Sequence, residues 1–304
     1  MGGVSFKACK SCVLVRYCNA NCQRNHWPKH KKECKQVASE RRDEALFKDP
    51  PAKEDCPICF LPMPLTLICC ISLPPATITS VPIYDYALAN EELAKLSTEQ
   101  YYECCGKRIC RGCIESLFLS NNDEHCPYCK AERKGKTDED KVEELLKRVE
   151  VNDTGSMYVL GTYYFHGELG LHQDQEKAMT LYARAADLGY SKAHFCIGVG
   201  YDDRHGGDLK KAKFHFEAAA MAGDEVARCK LGYMEFVSGN MDRALKHCTI
   251  AASSGSYTSM HALIKQFENG FVSRESLDST LAAYNNSCAE MRSKARDAYI
   301  HAHV

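Results

Sequence analysis

A repeated motif in the second half of the chain constrains its fold more than any other feature. Ala-Ala-x-x-Gly begins at Ala185, Ala219 and Ala251, and an aliphatic-glycine pair precedes each copy: Leu160-Gly161, Ile197-Gly198 and Leu231-Gly232. A period of about 34 residues is typical of a helix-turn-helix repeat. Paired alanines allow close helix packing, and glycine fits the left-handed position that ends a helix. The sequence therefore predicts a mainly α protein whose C-terminal part is an α/α solenoid.

The repeat region is predicted to span residues 138–304. Its second helices begin near good N-cap residues, Asp174, Asp208 and Asn240. The fourth unit, from Tyr257, lacks the motif, and 277–300 is expected to form a closing helix pair. The three motif-bearing units resemble the Sel-one-like repeat, a relative of the tetratricopeptide repeat. That resemblance implies a surface that recruits a protein substrate or an adaptor.

Cysteine is unusually frequent before the repeats. The chain has 19 cysteines, of which only four follow Lys130: Cys196, Cys229, Cys248 and Cys288. Residues 1–6 lack the basic start and apolar run of a signal peptide, so a cytoplasmic or nuclear protein is expected. In such a compartment paired cysteines indicate zinc sites rather than disulfides.

Residues 53–131 carry five cysteine pairs, of which four are the predicted ligands: Cys56/Cys59, Cys104/Cys105, Cys110/Cys113 and Cys126/Cys129. Eight thiolates suit two tetrahedral zinc ions. Cys69 and Cys70, in the long stretch between the first two pairs, are a competing pair.

These pairs resemble those of a RING finger in Cys56-Pro57-Ile58-Cys59, Cys105-Gly106-Lys107-Arg108-Ile109-Cys110 and Cys126-Pro127-Tyr128-Cys129. The family interleaves its ligands. The resemblance therefore implies one zinc held by Cys56, Cys59, Cys110 and Cys113, and a second held by Cys104, Cys105, Cys126 and Cys129. Lys107 stands at the family's usual histidine position, which makes this an all-cysteine variant, and the loop 60–103 is long.

RING fingers of the ligase kind have no catalytic nucleophile; they orient a ubiquitin-conjugating enzyme and its thioester. The resemblance implies an apolar contact patch of Ile58, Leu117 and Pro127, with Lys130 as a cation bridging enzyme and ubiquitin. In the alternative interpretation, Ile58 and Leu117 cover the zinc core and Lys130 is an ordinary surface charge.

Residues 9–34 form a second cysteine-rich module, and a charged helical linker is expected over 35–52. Cys9, Cys12, His30 and Cys34 make one complete ligand set by spacing. The run from Tyr17 through Cys18, Cys22, Trp27 and His30 to Cys34 resembles a MYND finger, whose first ligand pair has no counterpart here. The site at Cys18 and Cys22 is therefore left open, with His26 as a possible third ligand.

MYND fingers bind proline-containing peptides, and the resemblance implies that Gln23 and Trp27 line the peptide groove. The alternative is that Trp27, the chain's single tryptophan, caps the metal core. Three zinc ions are expected in the whole chain, and four if the Cys18/Cys22 site is filled.

Two classes of partner are not expected. A formal net charge of -1 provides no field that attracts nucleic acid. The apolar stretch 61–83 contains five prolines, which would break a membrane-spanning helix repeatedly. The leading hypothesis is a zinc-binding RING-type ubiquitin ligase, and the alternative is a zinc-stabilised interaction scaffold without ligase activity.

Overall fold

The structure is a computed structural model that describes residues 7–9, 11, 16–17, 20–63, 99–202 and 207–303. The chain divides into two compact units, Met1–Asp49 and Pro50–Val304. Within the described ranges, no helix is both long and apolar enough to cross a membrane. Most of the apolar stretch 61–83 lies outside these ranges.

The first unit consists of a short hairpin and a long helix. Strands β1 (Lys7–Ala8) and β2 (Arg16–Tyr17) pair antiparallel. Helix α1 runs from Ala20–Leu46 without a break. The boundary drawn after Cys34 thus falls inside a helix, because the charged residues that follow continue it.

The second unit begins with the four cysteine pairs, which we call the quartet module (residues 53–131). Strands β3 (Glu99–Tyr102) and β4 (Lys107–Cys110) form an antiparallel hairpin in which Glu99 pairs with Cys110. Helix α2 (Arg111–Leu119) follows directly. The strands and helix together carry Cys110 and Cys113 onto the buried side of the module.

Ten helices then complete the described part of the chain: α3 (Asp138–Glu150), α4 (Thr154–His166), α5 (Gln175–Asp187), α6 (Ser191–Tyr201), α7 (Leu209–Met221), α8 (Glu225–Val237), α9 (Met241–Ser253), α10 (Tyr257–Glu268), α11 (Arg274–Met291) and α12 (Lys294–His303). From α3 to α11 each helix packs against the next. The prediction of a mainly α chain ending in a solenoid is confirmed.

The repeated residues have the structural roles that the sequence indicates. Gly189, Gly223 and Gly255 have φ of 88°, 92° and 98°, the left-handed backbone that ends a helix. The N-cap predictions differ at one position. Asp174 accepts from a backbone N–H of its helix, but Asn240 donates instead to the buried carboxylate of Glu235, 2.8 Å away.

The C-terminal helices do not both close the solenoid. Helix α11 packs against α9 and α10, as a closing helix should, whereas α12 packs against α2 of the quartet module. Reading 277–300 as a closing pair is therefore wrong for its second helix. Helix α12 packs against α2 instead of the solenoid, because α2 of the quartet module lies next to the end of α11.

The Leu-Gly and Ile-Gly pairs suggest a test of helix packing. A Cβ at Gly198 would lie 2.7 Å from ring atoms of Phe216, which is fully buried. We expect Gly198→Ala to destabilise the solenoid by about 1–3 kcal/mol, because the ring cannot move away. Urea unfolding followed by circular dichroism would measure it.

Gly200→Ala on the same helix is the control. Its Cβ would meet only the end of the Met179 side chain, at 3.4 Å, so the change should be neutral or stabilising by up to about 1 kcal/mol. Equal effects at the two positions would contradict this account of the packing.

Candidate metal centres

The quartet module brings eight of its ten cysteines together in two groups of four. The other two, Cys69 and Cys70, lie outside the described residues. The Sγ atoms of Cys56, Cys59, Cys110 and Cys113, the first quartet, all lie within 4.8 Å of one another. The same holds for the second quartet, Cys104, Cys105, Cys126 and Cys129. Each quartet combines pairs that are far apart in sequence, so the two sets interleave along the chain.

Two similar loops carry the first and last cysteine pairs of the module, Cys56/Cys59 and Cys126/Cys129. In the first, Phe60 N–H donates to Cys56 C=O at 2.9 Å, and Cys56 N–H donates to Leu61 C=O at 2.9 Å. In the second, Lys130 and Cys126 make the corresponding bonds, of 2.9 and 2.8 Å. Phe60 and Lys130 both have positive φ, 54° and 63°. This shared turn directs both thiols of a Cys-x-x-Cys pair to one point.

The adjacent ligands Cys104 and Cys105 are accommodated by the turn between β3 and β4. The N–H groups of Cys105 and Gly106 both donate to Tyr102 C=O, at 3.3 and 2.8 Å. The tight turn directs both thiols toward the Cys126/Cys129 loop. Lys107, at the position where RING fingers usually have a histidine ligand, lies with its Nζ 5.1 Å from the centre of the Tyr128 ring.

The donor geometry of both quartets fits Zn²⁺. A tetrahedral site with Zn–S bonds of about 2.3 Å requires sulfur atoms about 3.8 Å apart. The Sγ–Sγ distances are 3.9 Å for Cys56–Cys113 and Cys59–Cys110, and 3.7 Å for Cys105–Cys126. A disulfide would need about 2.05 Å, and all of these cysteines are free.

Burial opposes deprotonation of the adjacent thiols Cys104 and Cys105. It raises the pKa of Cys105 to about 11, with the Cys126 sulfur adding to the effect, and it also raises the pKa of Cys104. A bound cation stabilises the thiolates that the pocket would otherwise disfavour. The donor set and the sulfur–sulfur distances of both quartets fit a metal site.

The first unit brings together three of its predicted ligands. Cys9, His30 and Cys34 are all buried, with donor atoms within 4.8 Å of one another. Cys12 and Cys18 lie outside the described residues. The backbone of Cys22 belongs to α1, but its side chain is not described. The fourth ligand and the Cys18/Cys22 site therefore stay predictions.

Gln23 and Trp27 lie on α1, with Gln23 exposed and Trp27 37% exposed. The Trp27 ring stands edge-on to the His30 ring, with centroids 6.2 Å apart, and the His26 ring stacks on the same His30 ring, with centroids 5.7 Å apart. His26 thus contacts the ligand His30 through its ring. Trp27 contacts the candidate ligand His30 and keeps an exposed surface, and its place in a peptide groove stays a prediction.

The four residues predicted to contact a conjugating enzyme are all accessible to some degree. Ile58, Leu117 and Pro127 are partly buried, and Ile58 packs against the core around the quartets. Lys130 is exposed. Each apolar residue has a more exposed aromatic neighbour in sequence: Phe60 at 76%, Phe118 at 60% and Tyr128 at 52%.

The contacts between the quartet module and the helices were not foreseen from the sequence. Tyr101 Oη donates to Asp153 at 3.0 Å and lies 2.6 Å from Ser156 Oγ, while Arg148 pairs with the same Asp153. Burial, aided by that carboxylate, raises the pKa of Tyr101 to about 12. Asp153 also caps α4. One tyrosine thus ties β3 to the junction of α3 and α4.

Further contacts extend along the helices. Glu99 of β3 pairs with Lys192 of α6. Burial lowers the pKa of Lys192, but the Glu99 carboxylate has the larger effect, so the pKa of Lys192 is raised. Lys53 donates to Ser254 C=O at 2.6 Å and reaches α11 at Ser287. No sequence signal marks these residues, because isolated charges and a tyrosine have no spacing that identifies them.

Comparison with known families agrees with two of the three resemblances. Residues 2–34 match the family model of the MYND finger. Residues 154–190, 196–224 and 226–256 match that of the Sel1 repeat. The chain therefore contains a MYND finger and Sel1 repeats. Both quartets lie outside these matches.

Individual relatives are distant. The ERAD-associated E3 ubiquitin-protein ligase component HRD3B of Arabidopsis thaliana is 28% identical over 120 residues, which are 38% of this chain and 19% of that protein. This chain thus spans about a fifth of the curated relative that it matches.

Similar solved structures include a Sel1 repeat protein from Oxalobacter formigenes, with a TM-score of 0.40 and 24% identity over 45% of this chain and 40% of that one. A protective antigen of uropathogenic Escherichia coli with an SLR fold has a TM-score of 0.40 and 20% identity, over 63% of this chain and 43% of its own.

Proposed function

We propose that the quartet module is a RING-type finger that binds a ubiquitin-conjugating enzyme, and that the protein is a ubiquitin ligase of the orienting kind. The observation that carries this proposal is the interleaving of the two quartets. Cys56 and Cys59 share a site with Cys110 and Cys113 across the intervening pair Cys104/Cys105. This is the ligand order that the RING resemblance implies.

The surface of the module supports docking of a protein. Ile58, Leu117 and Pro127 are partly buried, and each has an exposed aromatic residue within two positions in the sequence: Phe60, Phe118 and Tyr128. We infer that these side chains form one apolar patch, and a contiguous exposed patch of this kind marks an interaction site. The relative from Arabidopsis thaliana is by name a component of an E3 ubiquitin-protein ligase, and we extend that association to this chain.

A scaffold without ligase activity is the second candidate. The observation that favours it is the set of contacts between the module and the helices, from Tyr101, Glu99 and Lys53. A small metal-bound module held at several points can stabilise a solenoid without binding an enzyme. In both candidates the helices contribute a surface for proteins.

The remaining parts of the proposal follow from the same resemblances. The Sel1 repeats recruit a protein substrate or an adaptor, and the MYND finger binds proline-containing peptides at Gln23 and Trp27. Each quartet holds one zinc ion, and Cys9, Cys12, His30 and Cys34 hold a third. The protein acts in the cytoplasm or nucleus.

The test is release of ubiquitin from conjugating enzymes. The full chain, loaded with zinc, is mixed with each member of a broad panel of ubiquitin-charged conjugating enzymes, and discharge to free lysine is followed over time. The control carries Cys126→Ser and Cys129→Ser. We expect the intact chain, but not the control, to accelerate discharge from at least one enzyme. Acceleration of none would favour the scaffold.

A further inference from the structure

Arg296, in the last helix, reaches into the first quartet. It is 4% exposed, and Nε donates to Cys110 Sγ while Nη2 donates to Cys59 Sγ, both at 3.4 Å. These two sulfur atoms lie 3.9 Å apart. The planar guanidinium therefore spans two ligands of one metal site with two N–H donors.

The rest of the guanidinium ties three chain segments together. Nη1 donates to Pro62 C=O at 2.7 Å and to Met291 C=O at 2.6 Å, and Nη2 also donates to Leu61 C=O at 3.3 Å. Helix α12 approaches α2 closely enough that a Cβ at Gly112 would lie 2.6 Å from the Arg296 backbone nitrogen. Arg296 thus fixes the first cysteine loop, α2 and the end of α11 around one cation.

The charge of Arg296 requires an opposite charge beside it. A guanidinium remains protonated at all ordinary pH values, and a buried cation is costly unless it is paired. Among the described residues, its hydrogen-bond acceptors are three backbone carbonyl oxygens and two cysteine sulfur atoms, with no carboxylate. Four thiolates around a divalent metal would carry a net charge of -2, which is the negative charge that this cation needs.

We propose that Arg296 is a positioning residue of the first metal site, which orients and stabilises the Cys59 and Cys110 thiolates, so that metal retention there depends on docking of the C-terminal helix. The second quartet has different surroundings: in the described chain, its hydrogen bonds to other side chains run between its own sulfur atoms. Its further hydrogen bonds are with backbone groups of the same module, at Lys107, Tyr128 and Cys129. Only the first site is then coupled to α12. The inference rests on the metal sites of the proposed function and is independent of ubiquitin transfer.

The test compares metal loss at the two sites in the full chain. Zinc-loaded protein is placed in excess chelator with iodoacetamide, and mass spectrometry follows labelling of Cys59 and Cys110 against that of Cys104 and Cys129. Partners that orient metal ligands are typically worth 10–100-fold in affinity. We expect Arg296→Ala to accelerate labelling of the first pair by roughly 10–100-fold and to leave the second pair at its wild-type rate.

Arg292→Ala is the matched control, because Arg292 lies nearby but pairs with Asp297 at the surface; it should leave both rates unchanged. Arg296→Lys keeps the positive charge but loses the planar set of N–H donors, and should give an intermediate labelling rate at the first pair. Equal acceleration at both pairs, or none at either, would overturn the inference. Absence of zinc from both quartets of the wild-type protein would instead contradict the metal sites of the proposed function.

Discussion

Removal of metal is expected to unfold the quartet module while the solenoid keeps most of its helix. Seven buried residues form the module's described core, and four of them, Cys56, Cys110, Cys113 and Cys126, are candidate ligands. Too little apolar surface remains to hold the module without metal. Structural zinc contributes about 10–16 kcal/mol of binding free energy in small metal-dependent folds, so the loss should be complete rather than partial.

The solenoid has an independent apolar core. Leu145, Met157, Leu160 and Ala185 are all buried within one cluster that includes no candidate ligand. Helix α12 is the expected exception, because it packs on α2 and supplies Arg296 to the first quartet. Chelation should therefore release residues 294–303 together with the module.

Hydrogen exchange before and after chelation measures this directly, with native mass spectrometry as the count of bound zinc. Exchange should rise over 54–63, 99–131 and 294–303 and change little over 155–253. Three zinc ions are expected in the starting protein, and a fourth would place metal at Cys18 and Cys22. Unchanged exchange over 99–119 after complete loss of zinc would contradict the dependence of the module on metal.

The parts of this structure that repeat or pair along the sequence could be predicted from it. The solenoid was predictable because Ala-Ala-x-x-Gly recurs with one period, and each glycine has the expected left-handed backbone. The grouping of the cysteines followed from a family resemblance, and the quartets contain those same residues. Periodicity and spacing are properties that a single sequence displays.

Contacts that do not recur along the sequence could not be predicted from it. Arg296 is an ordinary residue in a helix, separated by 186 positions from Cys110, and nothing nearby distinguishes it from Arg292. The closing-pair prediction failed for the same reason: whether α12 stacks on α11 or on α2 depends on which surface the fold presents to it. Asn240 has a suitable N-cap side chain, yet its amide N–H donates to buried Glu235 and its side chain makes no cap hydrogen bond.

Substitution of Ile58 is expected to abolish most ubiquitin transfer if the ligase proposal is correct. Ile58 is partly buried in the loop between two ligands, and its side chain contributes apolar surface without binding metal. Burying an isoleucine side chain stabilises a complex by about 1.5–3 kcal/mol. Ile58→Ala should therefore slow discharge roughly 10- to 100-fold at subsaturating concentrations, with the zinc count unchanged.

Leu188→Ala is a suitable control for Ile58→Ala. Leu188 is a 52% exposed aliphatic residue of the solenoid, and its substitution should leave discharge unaffected. If Ile58→Ala binds the enzyme and discharges ubiquitin as the parent does, Ile58 only covers the metal core and the docking surface lies elsewhere.

Lys130 tests the second half of the proposal. Its φ of 63° disfavours alanine, so Lys130→Asn removes the charge with less backbone strain. This change should slow discharge while binding of the uncharged conjugating enzyme stays close to wild type.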